Sequence, residues 1–102
     1  MRRIAVIDDE QASRKQLTDH VLRYMNEREL HLELIQFESG VQFLERYTPD
    51  FDLVFLDIEM PGMDGMETAR ELRRMDEDVC IIFVTILYQS LLHTLHILCQ
   101  NA

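Results

Sequence analysis

The sequence has little positive charge. Only 10 lysine and arginine residues stand against 19 aspartate and glutamate residues in a chain of 102, which gives a formal net charge of −9. Nucleic-acid backbones and anionic membrane surfaces repel so acidic a protein, so nonspecific binding to either is not expected. The acidic excess instead favours cations or a basic partner.

Long apolar runs are also absent. No stretch approaches the roughly 20 apolar residues of a membrane-spanning helix. Only residues 4–7 are apolar between the first arginines and Asp8, which is too short a run for a secretory signal. We therefore expect a cytoplasmic protein. Cys80 and Cys99, the two cysteines, both lie in apolar stretches, which favours buried thiols over a disulfide.

Short apolar runs alternate with helical patterns along the chain, which is typical of βα units around a parallel sheet. The length, with 47% hydrophobic residues, suits one domain with one core. The expected strands cover residues 4–7, 30–37, 53–56 and 79–84. The expected helices cover residues 11–28, a short segment capped by Ser39, and residues 66–75. Alternating leucines place the second strand near the sheet edge.

Residues 51–65 form the stretch around which the chain is organised. An apolar run there predicts a strand buried on both faces, which delivers Asp57 to its carboxyl end. Pro61 and Gly62 suit the central positions of a type II turn, and Asp64 can cap the helix that follows. Taken alone, Asp57 could simply end a strand, because aspartate is common at turns.

Asp8, Asp9 and Glu10 form an acidic cluster at the point where the first expected strand turns into a helix. Helix capping and the helix dipole both favour an acid here, and one acid would satisfy them. Three adjacent carboxylates repel one another, so a bound cation is a second explanation. The residues by themselves leave both explanations open.

The carboxyl ends of parallel strands meet at one edge of a sheet, and ligands bind there. Asp8, Asp9, Asp57 and Thr85 all fall on that edge in the expected arrangement. Convergent carboxylate oxygens suit Mg²⁺, which commonly joins one or two carboxylates to a phosphoryl group. An aspartate can attack phosphorus as a nucleophile when the metal and a hydroxyl bind the phosphoryl oxygens. Asp57 is the candidate nucleophile, and Thr85 is the candidate hydroxyl.

Three motifs follow one another along the chain with characteristic spacing. They are Ile-Ala-Val-Ile-Asp-Asp-Glu at 4–10, Leu-Val-Phe-Leu-Asp-Ile-Glu-Met-Pro-Gly-Met-Asp-Gly at 53–65, and Ile-Ile-Phe-Val-Thr at 81–85. Together they resemble the receiver domain of bacterial two-component response regulators. The Ile-Glu-Met-Pro loop is similar to regulators with a LytTR-type DNA-binding output domain, although no such domain is present in these residues.

The resemblance implies a flavodoxin-like, doubly wound α/β fold over residues 1–102. It implies Asp57 as the acceptor of a phosphoryl group from a sensor histidine kinase. It further implies Mg²⁺ held by Asp57, Asp9, Asp8 and the backbone carbonyl of Glu59, with Thr85 as the switch hydroxyl. A protein of this kind is a signalling phosphoacceptor rather than an enzyme that turns over a separate substrate.

The carboxyl-terminal segment departs from the family pattern. The family has a small residue where this chain has Ile86, and later a fifth strand that ends in Lys-Pro, followed by a fifth helix. Lys15 is the only lysine, so the phosphate-contacting lysine of the family has no counterpart. Helical spacing of leucines predicts an atypical helix over residues 86–102. The sheet is therefore expected to stop after the fourth strand and the fourth helix.

Two further functions remain in view. An uncovered sheet edge or the apolar face of the last helix could pair between chains, which predicts a homodimer. The chain would then be either a dimeric receiver or an oligomerisation module that needs no phosphorylation. A phosphohydrolase that forms an aspartyl phosphate is the other alternative. Those enzymes need a second aspartate where this chain has Glu59, and a lysine that it lacks.

Overall fold

The computed structural model describes residues 3–86 and 93–98. These residues form five strands and three helices. The strands are β1 (Arg3–Ile7), β2 (Glu33–Phe37), β3 (Phe51–Asp57), β4 (Cys80–Ile86) and β5 (His93–Leu98). The helices are α1 (Gln11–Glu27), α2 (Gly40–Glu45) and α3 (Gly65–Met75). The second strand is shorter than expected, since it begins at Glu33 rather than near Leu30.

The strands form one sheet in the order β2-β1-β3-β4-β5. Strands β1 to β4 are parallel, and β5 is antiparallel to β4. Strand order reverses between β1 and β3, which is the switch point of a flavodoxin-like sheet. Neighbouring strands are in register so that Ile7 pairs with Leu56, and Asp57 pairs with Val84. The predicted α/β fold is confirmed, and β2 is an outer strand as the leucine alternation indicated.

The core lies in two layers, one on each face of the sheet. The helices α2 and α3 contribute Phe43, Ala69 and Leu72 to the layer that includes Val54 and Leu56. The helix α1 contributes Leu17, Val21 and Met25 to the layer on the other face. Side chains of β1 and β3 alternate between the two layers, as the pleat of a fully covered strand requires.

The capping and turn predictions are confirmed. The Ser39 side chain accepts a hydrogen bond from the Gln42 amide, and Asp64 accepts one from the Glu67 amide, at the starts of α2 and α3. Gly62 adopts a φ of 74°, the positive value that a type II turn requires. Three apolar residues of the expected helices have exposed side chains, namely Leu22, Val41 and Met66.

The helix predicted over residues 86–102 is wrong for the part of that segment that the structure describes. Ile86 still belongs to β4, and residues 93–98 form β5, whose Thr94 is in register with Thr85. Periodicity alone does not distinguish a helix from a strand over so short an apolar run. Pairing with β4 decides between them, because it supplies hydrogen bonds to an otherwise open edge. The expectation that the sheet stops after four strands is corrected in the same way.

The prediction of a buried thiol is wrong for Cys80, which is disulfide-bonded. The chain has one other cysteine, Cys99, which lies outside the described residues. Ile81 pairs with Leu98 in the antiparallel register, and the two cysteines are the outer sequence neighbours of that pair. The sequence did not reveal that Cys80 is bonded, because it did not predict β5, the strand beside β4.

Candidate functional site

Three carboxylates meet at the carboxyl edge of the sheet. Asp8 follows β1 and Asp57 ends β3, and the pairing of Ile7 with Leu56 brings the two strand ends side by side. Asp9, the next residue of the loop, completes the group. One oxygen from each of the three carboxylates lies within 4.8 Å of the others. The structure thus brings together the three acids that the sequence assigned to one edge.

Burial and mutual repulsion make two of these carboxylates hard to ionise together. Asp8 is only 3% exposed, and this burial raises its pKa above the ordinary value. Burial also raises the pKa of Asp57, and the neighbouring charge of Asp8 adds to the effect, so that Asp57 titrates at about 7. Near neutral pH the metal-free pair therefore tends to hold a proton between its two carboxyl groups. A bound cation would remove that need.

The loop after β3 supports Asp57 from its carboxyl-terminal side. The backbone of Glu59 lies close enough to the Asp57 carboxylate to lower its pKa, against the larger effect of burial. The amide of Gly65 donates to the carbonyl of Ile58 at 2.9 Å, which folds the loop back onto the strand end. A Cβ at position 65 would lie 2.3 Å from the carbonyl oxygen of Asp57. Only glycine fits this close approach of two backbone segments.

The acids of the loop after β1 have different partners. The Asp8 carboxylate accepts a hydrogen bond from the Glu10 amide at 3.0 Å. The Glu10 carboxylate accepts one from the Ser13 hydroxyl at 2.8 Å, and Glu10 is not a member of the three-carboxylate group. The Glu10 side chain makes no capping hydrogen bond to the backbone of α1, whereas Asp8 and Asp9 converge with Asp57. Helix capping therefore does not account for the acidic cluster, and the bound cation stays a prediction.

Arg14 is a residue that the sequence reasoning missed. Its guanidinium donates a hydrogen bond from Nη1 to the carbonyl oxygen of Asp8 at 2.8 Å. An arginine one helical turn after an acidic triplet was the available signal, because the first turn of α1 faces the loop it leaves. Lys15, the next residue, instead forms an exposed ion pair with Asp19 at 3.1 Å.

Thr85 lies in β4, one residue beyond the partner of Asp57 in the β3–β4 register. Its backbone is therefore at the same edge of the sheet as the carboxylates. Its side chain is outside the part of the chain that the structure describes, so its role as switch hydroxyl stays a prediction. The carbonyl of Glu59 as a metal ligand is likewise a prediction.

The three-carboxylate group fits a divalent cation of the Mg²⁺ type. All of its donors are hard carboxylate oxygen atoms at neighbouring strand ends. Burial raises the pKa of both Asp8 and Asp57, and the charge of Asp8 raises the pKa of Asp57 further. Three carboxylates leave several coordination positions for water or a phosphoryl oxygen. A closed site for zinc would use cysteine or histidine ligands instead.

Residues 4–99 match the family model described as the response regulator receiver domain. The chain belongs to the response regulator receiver family. The match extends past Thr85, where the motif resemblance ended, into the segment that contains β5. The family match thus covers nearly the whole chain. In the described residues, no helix is both long enough and apolar enough to cross a membrane.

Curated relatives include regulators of several bacteria. The sensory transduction protein LytT of Bacillus subtilis is 32% identical over 85 residues, which cover 83% of this chain and 34% of LytT. The receiver protein CpdR of Brucella abortus is 33% identical over 86 residues, which cover 83% of this chain and 67% of CpdR. The chain thus spans about a third of LytT but about two thirds of CpdR, a receiver protein. The likeness to LytT agrees with the LytTR-like loop.

Solved structures with the receiver fold include TrrA of Thermotoga maritima in complex with Mg²⁺-BeF. It is 36% identical to this chain, with a TM-score of 0.67, and the alignment covers 79% of this chain and 66% of TrrA. A second structure holds TrrA together with the histidine kinase ThkA. This match has a TM-score of 0.68 and 36% identity, and it covers 88% of this chain and 75% of the matched chain.

Proposed function

We propose that this receiver domain accepts a phosphoryl group from a sensor histidine kinase onto Asp57, with Mg²⁺ as the cofactor. The observation that carries the proposal is the convergence of Asp8, Asp9 and Asp57 at the switch point of the sheet. The crystallised complexes of TrrA with Mg²⁺-BeF and with a histidine kinase support the same chemistry by likeness.

In the proposed reaction, a carboxylate oxygen of Asp57 attacks phosphorus, and the bond from phosphorus to the donor breaks. The electron pair of that bond leaves with the donor, and Asp57 becomes an acyl phosphate. Asp8, Asp9 and the carbonyl of Glu59 would hold the Mg²⁺, which neutralises charge on the phosphoryl oxygens when bound. The Glu59 backbone favours the ionised form of the Asp57 carboxylate, which is the form that acts as the nucleophile. Thr85 would bind a phosphoryl oxygen and carry the signal into β4.

The described residues bring no lysine to the three-carboxylate group. Lys15 is the only lysine, and it is paired with Asp19 on the exposed side of α1. In the described residues, no lysine is therefore available to contact a phosphoryl group on Asp57, so neutralising its charge falls to Mg²⁺. We propose a phosphoacceptor that hydrolyses its own acyl phosphate, rather than an enzyme with a separate substrate.

The test is phosphoryl uptake from a small acyl phosphate, followed by intact-mass spectrometry. We expect the parent to gain the mass of one phosphoryl group with Mg²⁺ and to gain none when the metal is chelated. Asp57→Ala should gain none under either condition. Asp78→Asn, which changes an exposed acid at the opposite edge of the sheet, should behave like the parent. A folded parent without any adduct would refute the proposal. Phosphoryl uptake by Asp57→Ala equal to that of the parent would refute the assignment of Asp57.

The partners follow from the same proposal. A histidine kinase is the proposed phosphodonor, in a cytoplasmic setting, and neither nucleic acid nor a membrane is a direct partner of these residues. The homodimer also remains a proposal, now attributed to β5, since this strand is one of the two edge strands of the described sheet and could pair with a second copy. Light scattering at tens of micromolar should give twice the monomer mass. A monomer mass would remove dimerisation, and with it the phosphorylation-independent oligomerisation module.

A further inference from the structure

Asp8 has a partner for each of its polar groups. Its amide donates to the carbonyl of Phe37 at 3.2 Å, which ties the loop to the end of β2. Its carboxylate accepts from the amide of Glu10 at 3.0 Å. Its carbonyl oxygen accepts from Nη1 of Arg14 at 2.8 Å. Arg14 is the side chain among these three partners, and it is therefore the one that a substitution can remove.

The position of Arg14 is unusual for a cation. Its side chain is only 11% exposed. Its Nη2 lies 3.9 Å from Oε1 of Glu38, whose side chain is 73% exposed. An ion pair that long, with an exposed acid, contributes little. Burying a guanidinium is costly unless its N–H groups are well used. The principal use here is the short hydrogen bond to the carbonyl oxygen of Asp8.

That hydrogen bond acts on the peptide that joins Asp8 to Asp9. A carbonyl held in place fixes the plane of the peptide, and the plane sets the direction in which Asp9 leaves the loop. The helix holds the other end, because the Arg14 amide donates to the Glu10 carbonyl at 2.9 Å.

We propose that Arg14 is a positioning residue for the metal site, which orients Asp8 and Asp9 through the carbonyl of Asp8. The inference rests on the proposed function, because it assigns those two acids to Mg²⁺. Groups that orient metal ligands typically change metal affinity by about 10 to 100-fold when removed. Arg14→Met keeps the length of the side chain but removes the charge and the donors. We expect it to raise the Kd for Mg²⁺ about tenfold or more.

The Kd for Mg²⁺ is measured by calorimetric titration of the unphosphorylated chain. The free energy of unfolding is measured separately, on the metal-free protein in the presence of a chelator. Arg14→Lys restores the charge and one donor without the planar fork, so its Kd should lie between those of the parent and Arg14→Met. Arg23→Met is the matched control, since it removes the same charge from an exposed position of α1 and should leave the Kd unchanged. Phosphoryl uptake is followed in parallel against Mg²⁺ concentration.

A positioning role predicts a defect in metal binding that excess metal overcomes. Arg14→Met should need about tenfold more Mg²⁺ for half-maximal uptake, with the rate at saturating Mg²⁺ within about threefold of the parent. An unchanged Kd with only a lower unfolding free energy would overturn the inference and leave a structural role. If Arg14→Met does not fold, Arg14→Lys decides the matter, because a parent-like Kd there would overturn it. A parent that binds Mg²⁺ but takes up no phosphoryl group would refute the proposed function alone.

Discussion

Asp57→Asn is expected to stabilise the metal-free protein at alkaline pH and to weaken its dependence on pH. In the folded state, burial and the charge of Asp8 raise the pKa of Asp57 from 3.8 to about 7. The folded protein thus binds this proton more tightly than the unfolded chain does. The stability that the raised pKa represents is complete below pH 4 and is lost as the pH rises through about 7.

The size of the effect follows from the part of the shift that is crossed. Between pH 5 and pH 8 the folded state gives up about two pKa units of its advantage, which is nominally about 3 kcal/mol at 1.36 kcal/mol per unit. Solvent reaches part of the Asp57 carboxylate and screens its interaction with Asp8, so we halve the figure to about 1.5 kcal/mol. The parent should be less stable at pH 8 than at pH 5 by about that amount, apart from its other groups.

The assay is urea unfolding of the parent and Asp57→Asn in a chelator at pH 5, 6, 7 and 8, with Asp78→Asn as the control for loss of an acid. The difference between Asp57→Asn and the parent should grow with pH to about 1.5 kcal/mol at pH 8. Asp78→Asn should track the parent. Mg²⁺ at pH 8 should stabilise the parent by binding to its folded state, and should stabilise Asp57→Asn much less. A difference that stays constant with pH would refute the view that Asp57 ionises against Asp8.

Three more predictions concern the fold around the site. Gly65→Ala should lose at least about 2 kcal/mol and should slow phosphoryl uptake, because its Cβ would meet the Asp57 carbonyl oxygen at 2.3 Å; equal stability and uptake would show that the loop can shift. Tyr47→Phe removes a hydrogen bond to Asp76 and should cost about 1 kcal/mol at pH 7. The loss should shrink as the pH falls through the lowered pKa of Asp76, and urea titrations at two pH values check it. Leu72→Ala, at a position with no exposure, should cost about 3 kcal/mol in the same assay, and a cost below 1 kcal/mol would contradict the packing described for α3.

The described packing also explains where sequence patterns succeeded and failed. Ser39, Asp64 and Gly62 act through hydrogen bonds and dihedral angles within a few residues, so their roles could be read locally. Leu22, Val41 and Met66 fitted the helical pattern yet are exposed. Helical periodicity marks an apolar stripe, but the sheet and neighbouring helices decide how much of that stripe they cover.

The βα alternation, the parallel sheet and the four candidate positions Asp8, Asp9, Asp57 and Thr85 could all be predicted from the sequence, because strand ends and turn residues are encoded within short segments. Tertiary structure set how closely these acids approach one another and how strongly they interact. The register of β1 on β3 sets Asp8 beside Asp57, and burial there raises their pKa values. It also decided that residues 93–98 form a strand on β4 and that Arg14 holds the Asp8 carbonyl. Such contacts join residues from different elements, so no local period in the sequence records them.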